Sequence, residues 1–257
     1  GSRCQAMRPA ANLSHLWPEL PYLDRFEAAA TAGFTGVEVL FPYAVPAKET
    51  QRALLRGGLQ MVLINAPPPN YMGGQRGFAA EVGNEARFAR DMRRAYRYAQ
   101  ELRVPMIHVM AGYTHGQAAK DTMIANLKQA VQDTPKGITL MLEPLCPESL
   151  PDYFLNDYAL AAEIIAAVDA PNLRLQFDSY HAQMIHGDAV AVFNQYRDLI
   201  THVQIGDTPE RGAPGTGDVD FPALFAALRM AEYSGWISGE YTPGPSTEAT
   251  LDWMNLL

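Results

Sequence analysis

The sequence predicts an α/β fold: a single domain in which eight parallel strands alternate with helices and close into a barrel. Apolar runs recur about 25 to 40 residues apart with helical patterns between them, which is typical of parallel strands joined by crossovers. The length of 257 residues is the usual size of one (β/α)8 TIM barrel. The polar residues best suited to chemistry follow the apolar runs, where such a barrel collects its active-site groups.

The strands are predicted from apolar runs that end at glycine, proline or a polar residue. The run before Glu143 is the clearest, because residues 138–142 are apolar or β-branched, Gly137 precedes them and Pro144 stops the strand. In chain order, the predicted strands cover residues 11–16, 36–41, 59–65, 106–110, 138–142, 173–178, 200–205 and 237–241.

The helices are predicted from apolar residues at helical spacing between these strands. Gly33 is a C′ residue of the first helix, and Asp220 is a plausible N-cap of the helix that starts at residue 221. The predicted helices cover residues 21–32, 47–56, 84–102, 117–132, 158–168, 189–199, 221–233 and 247–257.

A doubly wound sheet has the same alternation of strands and helices. It would more often carry a phosphate-binding loop after its first strand, and neither GxxxxGK[ST] nor GxGxxG follows a strand here. The Gly215-Thr216-Gly217 run follows a proline within a loop and is interpreted as a turn or a substrate lid. We therefore favour the closed barrel.

Composition and charge exclude some classes of protein. A net charge of −8 and a pI near 5.2 argue against a general affinity for nucleic acid or anionic membranes. The sequence has no membrane-length apolar run and no signal-peptide core. Cys4 and Cys146 make no disulfide framework, which fits the cytoplasm as the default localisation. Residues 1–7 are interpreted as a cloning remnant or a disordered leader.

Four polar residues follow strands at their exits: Glu143, Asp178, Gln204 and Glu240. The exits of barrel strands converge on one mouth, so these side chains should meet. Three carboxylates placed together repel unless a cation neutralises them, and all-oxygen ligation suits Mg²⁺ or Mn²⁺ better than zinc. The structural alternative is that each side chain caps a neighbouring helix or pairs with an arginine.

Other side chains are candidates around the same mouth. His181 is a candidate ligand or substrate contact, and His108 could line the pocket floor. Arg211 is a candidate clamp for an anionic substrate group, because guanidinium binds carboxylate in a bidentate manner. Each has a plain alternative, as a satisfied core or rim histidine or an exposed loop arginine. Strand alternation places His202 on the inward side with Gln204, one layer deeper.

Six segments lie at or near the predicted strand exits: Asn65-Ala66-Pro67-Pro68, His108-Val109-Met110-Ala111-Gly112, Leu142-Glu143-Pro144-Leu145, Phe177-Asp178-Ser179-Tyr180-His181-Ala182-Gln183, His202-Val203-Gln204-Ile205 and Pro214-Gly215-Thr216-Gly217. From about residue 11 to about residue 253, the chain resembles the hydroxypyruvate isomerase family of the xylose isomerase-like TIM barrels. The Asp-x-x-His pattern and the strand-end glutamates are shared across that superfamily. The Asn-Ala-Pro-Pro segment and glutamine at position 204 are similar to the hydroxypyruvate isomerase branch.

The resemblance implies a metal site and a reaction. A divalent metal, Mg²⁺ or Mn²⁺, would be held by Glu143, Asp178, Gln204 and Glu240, and the two glutamates would act as the acid/base pair. The implied reaction interconverts hydroxypyruvate and tartronate semialdehyde, an aldose–ketose isomerisation through a metal-stabilised enediolate. The expected substrate contacts are His181, Arg211, His108 and Asn65.

Related activities stay open on these motifs. A 2-oxo-tetronate isomerase would act on a four-carbon sugar acid, and substrate-length differences are expected in loops 69–72 and 206–209. A ketose 3-epimerase would use the same groups on a neutral sugar. A nuclease like endonuclease IV would need several zinc ions and a histidine-rich site, which six histidines and an acidic chain disfavour. A non-enzymatic barrel would bind without proton exchange. The expected partner is a small 2-oxo or hydroxy acid, and assembly into a homo-oligomer is left open.

Overall fold

The structure is a computed structural model that describes residues 6–67 and 76–257. The strands are β1 (Arg8–Asn12), β2 (Gly36–Val39), β3 (Gln60–Asn65), β4 (Met106–His108), β5 (Thr139–Leu142), β6 (Leu173–Asp178), β7 (Ile200–Ile205) and β8 (Trp236–Gly239). They pair in parallel and in chain order, and β8 pairs with β1 to close the barrel. The predicted (β/α)8 barrel is therefore confirmed.

Helices follow the strands on the outside of the barrel. The described helices are α1 (Asp24–Thr31), α2 (Ala47–Gly57), α3 (Glu85–Leu102), α4 (Gln117–Asp133), α5 (Tyr158–Val168), α6 (Ser179–His186), α7 (Ala189–Tyr196) and α8 (Phe221–Met230). Asp220 caps α8 as predicted, because its side chain accepts the N–H of Ala223 at 3.1 Å. Among the described residues, none of the helices has the length and apolar character needed to cross a membrane.

Side chains alternate along the strands between two buried regions, the core between strands and helices and the inside of the barrel. Outward positions such as Leu140, Leu142 and Phe177 are fully buried in the main core between the strands and the helices. Burying such a side chain contributes about 1.5–3 kcal/mol. A smaller apolar cluster includes Met141 and Trp236, at inward positions within β5 and β8. Further along the strands the inward positions become polar and remain buried: Asn12, Glu38, His108, Gln176, His202, Gln204 and Ser238.

The first strand differs from its prediction. β1 begins at Arg8 and ends at Asn12, whereas residues 11–16 were predicted. The side-chain oxygen of Asn12 accepts a hydrogen bond from the N–H of Ser14 at 3.0 Å. The backbone carbonyl of Asn12 accepts one from the N–H of Leu16 at 2.9 Å. These local hydrogen bonds turn the chain, because an asparagine side chain competes with the ladder of a sheet.

Helix α6 was not predicted, whereas the C-terminal helix was. Asp178 ends β6 and also caps α6, accepting the N–H of Tyr180 at 2.9 Å, so strand passes into helix without a loop. The C-terminal segment predicted as a helix over 247–257 is a 3-10 helix, Glu248–Leu256. Short 3-10 turns also occur at Pro42–Ala44 and Arg197–Leu199.

Candidate active site

The carboxyl ends of the strands open onto one cavity of about 150 Å³. Glu143 after β5, Gln204 on β7, Glu240 after β8 and His181 on α6 line it. Asp178, at the end of β6, is fully buried. Ligand atoms of Glu143, Asp178 and His181 lie within 4.8 Å of one another. The barrel thus brings the predicted strand-end residues to one place, as its topology requires.

Arg211 is the counter-ion of two of these carboxylates. Its Nη2 lies 3.2 Å from Oδ2 of Asp178 and 3.3 Å from Oε1 of Glu240. Its guanidinium also lies 4.8 Å from the ring centroid of Tyr180. Burial alone would lower the pKa of Arg211, but the charges of Glu240 and Asp178 raise it. Arg211 therefore lies at the site as a permanent cation that already has protein partners.

Glu143 and Glu240 have the electrostatics of proton carriers. Burial raises the pKa of both well above the usual range for glutamate. The charges of Glu240 and Asp178 raise the pKa of Glu143 further, whereas Arg211 opposes the rise at Glu240. The Oε2 atom of each glutamate accepts no hydrogen bond from any residue that the structure describes. A carboxyl group with a raised pKa can both accept and return a proton near neutral pH.

His181 and His108, two of the three histidines that line the cavity, are neutral. Nδ1 of His181 accepts the backbone N–H of Cys146 at 2.9 Å, so the proton of the neutral ring is on Nε2. Burial and the charge of Arg211 lower the pKa of His181 well below its ordinary value. Burial lowers the pKa of His108 to about 3, and its Nδ1 lies 3.9 Å from Oε1 of Glu143. His181 is therefore a hydrogen-bond donor through Nε2.

A charged network that the sequence analysis did not predict lies below the strand exits. Oε1 of the buried Glu38 accepts hydrogen bonds from Asn12 at 2.9 Å and from Gln204 at 2.6 Å. Its Oε2 lies 2.8 Å from Nε2 of His202, so the predicted position of His202 one layer below Gln204 is confirmed. Burial alone would raise the pKa of Glu38, but the interactions with His202, Asn12 and Gln204 lower it. The alternation through Val37-Glu38-Val39 was the sequence signal for this inward carboxylate.

The carboxylates fit a hard divalent cation. Glu143, Asp178 and Glu240 are buried, and two of them keep an oxygen without a hydrogen-bond partner in the described chain. Buried like charges need a cation to offset their repulsion, and carboxylate oxygens are the donors that Mg²⁺ and Mn²⁺ prefer. Arg211 supplies only part of that compensation, because none of its contacts reaches Glu143 within ion-pair distance.

The amide and the imidazole at the site differ in their suitability as ligands. Nε2 of Gln204 donates to Glu38, and its Oε1 accepts from Gln176 at 2.7 Å, which leaves one lone pair of Oε1. His181 carries its proton on Nε2 while Nδ1 is occupied by Cys146. That arrangement suits hydrogen bonding to a substrate oxygen better than metal ligation, which needs a lone pair.

The other predicted substrate contacts, Asn65 and His108, and one of the two predicted substrate loops lie among the described residues. Asn65 and His108 both line the cavity. The backbone carbonyl of Asn65 accepts a hydrogen bond from the hydroxyl of Tyr43. The 206–209 loop contains Asp207, whose carboxylate accepts the N–H of Thr208 at 2.9 Å. The second predicted substrate loop, at residues 69–72, lies outside the described residues, as does Cys4.

The barrel and its carboxylate-lined mouth agree with comparisons to known proteins. The chain belongs to the family described as Xylose isomerase-like TIM barrel, which matches residues 26–257. It is 39% identical to the 2-oxo-tetronate isomerase of Pectobacterium atrosepticum over 95% of each chain. It is 36% identical to the hydroxypyruvate isomerase of Escherichia coli over 97% of this chain and 98% of that one.

A solved structure from Brucella melitensis has the same fold at similar identity. It is titled as an AP endonuclease, family 2, and is 38% identical, with a TM-score of 0.93 over 97% of this chain and 98% of that one. A 3-keto-D-glucoside 4-epimerase from E. coli is 23% identical with a TM-score of 0.79 over 98% of this chain and all of that one, and shows the fold alone. Relatives named as isomerases thus match nearly the full length of the chain.

Proposed function

We propose that this protein is an isomerase that interconverts hydroxypyruvate and tartronate semialdehyde. The observation that supports the proposal is the pair Glu143 and Glu240, two buried carboxyl groups with raised pKa values that line one small cavity. A relative named hydroxypyruvate isomerase, 36% identical to the chain over 97% of its length, supports the same assignment.

The chemistry requires one proton to leave a carbon next to a carbonyl and another to arrive on the neighbouring carbon. One glutamate of the Glu143 and Glu240 pair takes the first proton from carbon and then gives it to the former carbonyl oxygen. The other gives a proton to the adjacent carbon and takes the hydroxyl proton, so both glutamates end as they began. Burial serves this exchange, because a carboxyl group whose pKa is near the operating pH works in both directions. Nε2–H of His181 donates to a substrate oxygen and favours negative charge there as the first proton leaves.

The proposed metal ligands are Glu143, Asp178 and Glu240, with the remaining lone pair of Gln204. When bound, Mg²⁺ or Mn²⁺ supplies stabilisation of the negative charge that develops on the substrate oxygens. His108 and Asn65 line the cavity wall and position the substrate. Arg211 holds Asp178 and Glu240 in place and contributes positive charge beside the reacting atoms.

A 2-oxo-tetronate isomerase is the second candidate. Relatives with that name are 39% and 40% identical to the chain over 95% and 96% of its length. The chemistry at the glutamates would be unchanged, because only one more hydroxymethylene unit has to fit. For either activity, we propose a single-domain enzyme that acts on a small acid in the cytoplasm.

The deciding experiment follows proton exchange and product formation by NMR in D₂O. We expect deuterium incorporation at the α-carbon and isomer formation from hydroxypyruvate, 2-oxo-tetronate or both, and their loss on treatment with EDTA. Matched assays with a neutral ketose and with abasic-site DNA test the epimerase and nuclease alternatives. Turnover of the ketose or the DNA with neither acid reacting would reject the proposal, and binding of the acids without exchange would indicate a non-enzymatic barrel.

A further inference from the structure

An acid substrate poses an electrostatic problem in this cavity. Its carboxylate has to enter a space that Glu38, Glu143 and Glu240 already line. A charged group leaves water at a high cost unless a charged or hydrogen-bonding partner receives it. The cavity therefore needs a cation whose donors are still available when the substrate arrives.

The histidines do not supply that cation. An imidazole is charged only when it is protonated, so the histidines of the cavity lining, His15, His108 and His181, are not permanent cations. The permanent cations among the described lining residues are Arg76 and Arg211.

Arg211 is already committed to the protein's own carboxylates. The same Nη2 atom contacts Asp178 at 3.2 Å and Glu240 at 3.3 Å. Turning Arg211 toward a substrate would break both of these contacts with buried carboxylates. Arg211 is thus better placed to support the reacting carboxylates than to bind a substrate carboxylate.

Arg76 has no such commitment. Its guanidinium carbon lies 5.1 Å from the ring centroid of Phe41, just beyond β2. Within residues 6–67 and 76–257 it forms no hydrogen bond and no ion pair. It lines the same cavity, and its charge contributes to the lowered pKa of His108 on β4. The guanidinium donors of Arg76 therefore remain available to a ligand in the cavity.

The backbone after Arg76 is fixed against the end of β4. Gly77 forms a bridge with Ala111, and the N–H of Ala80 donates to the carbonyl of Ala111 at 2.8 Å. A Cβ at Gly77 would lie 2.1 Å from the carbonyl oxygen of Met110, and its φ is +86°, so only glycine permits this approach. This contact places Arg76 near β2 and β4, across the eight-stranded ring from Arg211 and the ends of β6 and β8.

We propose that Arg76 binds the carboxylate of the substrate and so selects acids over neutral sugars. The inference rests on the proposed function, and it differs from the sequence-based expectation that Arg211 is the clamp. A planar guanidinium can hold a carboxylate through two parallel hydrogen bonds, and the Phe41 ring beneath it restricts its orientation. The substrate then spans the cavity, with its acid end at Arg76 and its reacting carbons at Glu143 and Glu240.

The test uses Arg76→Gln, Arg76→Lys and the matched control Arg97→Gln, which changes an exposed arginine on α3. Glycerate and glycerol serve as non-reacting probes that differ only by a carboxylate in place of a hydroxymethyl group. Calorimetric titration should show glycerate binding weakened about 10- to 100-fold by Arg76→Gln, less by Arg76→Lys and not by Arg97→Gln. Glycerol binding should be unchanged, and KM for hydroxypyruvate should rise with kcat largely retained.

Two results would overturn this assignment. The first is glycerate affinity that survives Arg76→Gln in a variant whose circular dichroism and Tm match those of the parent. The second is a selective loss of glycerate affinity in Arg211→Gln alone, which would return the clamp to Arg211. Because the titration measures binding, failure of the proposed isomerase reaction would appear separately, as a parent protein that binds glycerate through Arg76 and converts neither acid.

Discussion

At the scale of single residues, Glu143 and Glu240 should be essential to turnover and dispensable for folding. Glu143→Gln and Glu240→Gln keep the shape of each side chain but remove the group that accepts a proton. We expect each to lower kcat by at least about 10²- to 10⁴-fold, the usual contribution of a positioned acid or base. The measurement is the initial rate of isomerisation for each variant, compared with Glu148→Gln, which alters an exposed glutamate close to the same strand exit. A variant at position 143 or 240 with near-normal turnover would exclude that residue as the base.

The sequence identified the residues at the strand ends better than the residues below them. Glu143, Asp178 and Glu240 could be predicted because each lies at the exit of a predicted strand, where a barrel opens to its mouth. Glu38 was missed because it lies within its strand, and its pairing with Asn12, Gln204 and His202 explains a charge at that depth. These partners come from β1 and β7, which are distant from Glu38 in the sequence, so the local pattern could not reveal them.

At the scale of elements, the loop between β7 and α8 is organised by one carboxylate. Asp207 accepts four backbone N–H groups, from Thr208 and Val219 on Oδ1 and from Gly215 and Gly217 on Oδ2, at 2.9–3.0 Å. The same loop carries Arg211, whose carbonyl accepts the N–H of Thr242 at 2.9 Å. A single acidic side chain thus fixes the loop that carries Arg211, the ion-pair partner of Asp178 and Glu240.

Asp207→Asn should therefore both destabilise the protein and reduce activity. The amide presents an NH₂ group to two of the four N–H donors, so two charge-assisted hydrogen bonds are lost at a cost of about 2–4 kcal/mol. Urea unfolding should show a lower midpoint, and kcat should fall because Arg211 no longer lies beside Asp178. Asp218→Asn is the matched control, since that exposed aspartate belongs to the same loop. Equal stability of the two variants would argue against this role for Asp207.

The bounds of a strand or helix could be predicted from the sequence only where the element has a clear end. β6 and β7 were predicted with the bounds that the structure has, because apolar residues recur along both segments at the spacing of a strand. Helix α6 was missed because Asp178 serves both as the last strand residue and as the N-cap, so no turn sequence separates the two elements. Because Asp178 both ends β6 and caps α6, the sequence contains no turn residues that would mark where the strand stops and the helix begins.

At the scale of the whole molecule, the barrel closes a ring of buried carboxylates that a divalent cation should stabilise. A ligand that binds only the folded state at about 100 times its Kd adds about 2.7 kcal/mol to the free energy of unfolding. For a chain of this size, that corresponds to a rise in Tm of roughly 5–10 °C. Mg²⁺ or Mn²⁺ added to EDTA-treated protein should produce this rise in a calorimetric scan.

The same rise should depend on pH and on the proposed ligands. Burial raises the pKa values of Glu143 and Glu240, so protons compete with the cation as the pH falls, and the gain in Tm should shrink toward acid pH. Asp178→Asn and Glu143→Gln should abolish most of the gain, whereas the exposed-site variant Glu148→Gln should keep it. A Tm that is the same with EDTA and with saturating cation, at every pH tested, would show that Arg211 alone neutralises the mouth of the barrel and that no cation belongs to the site.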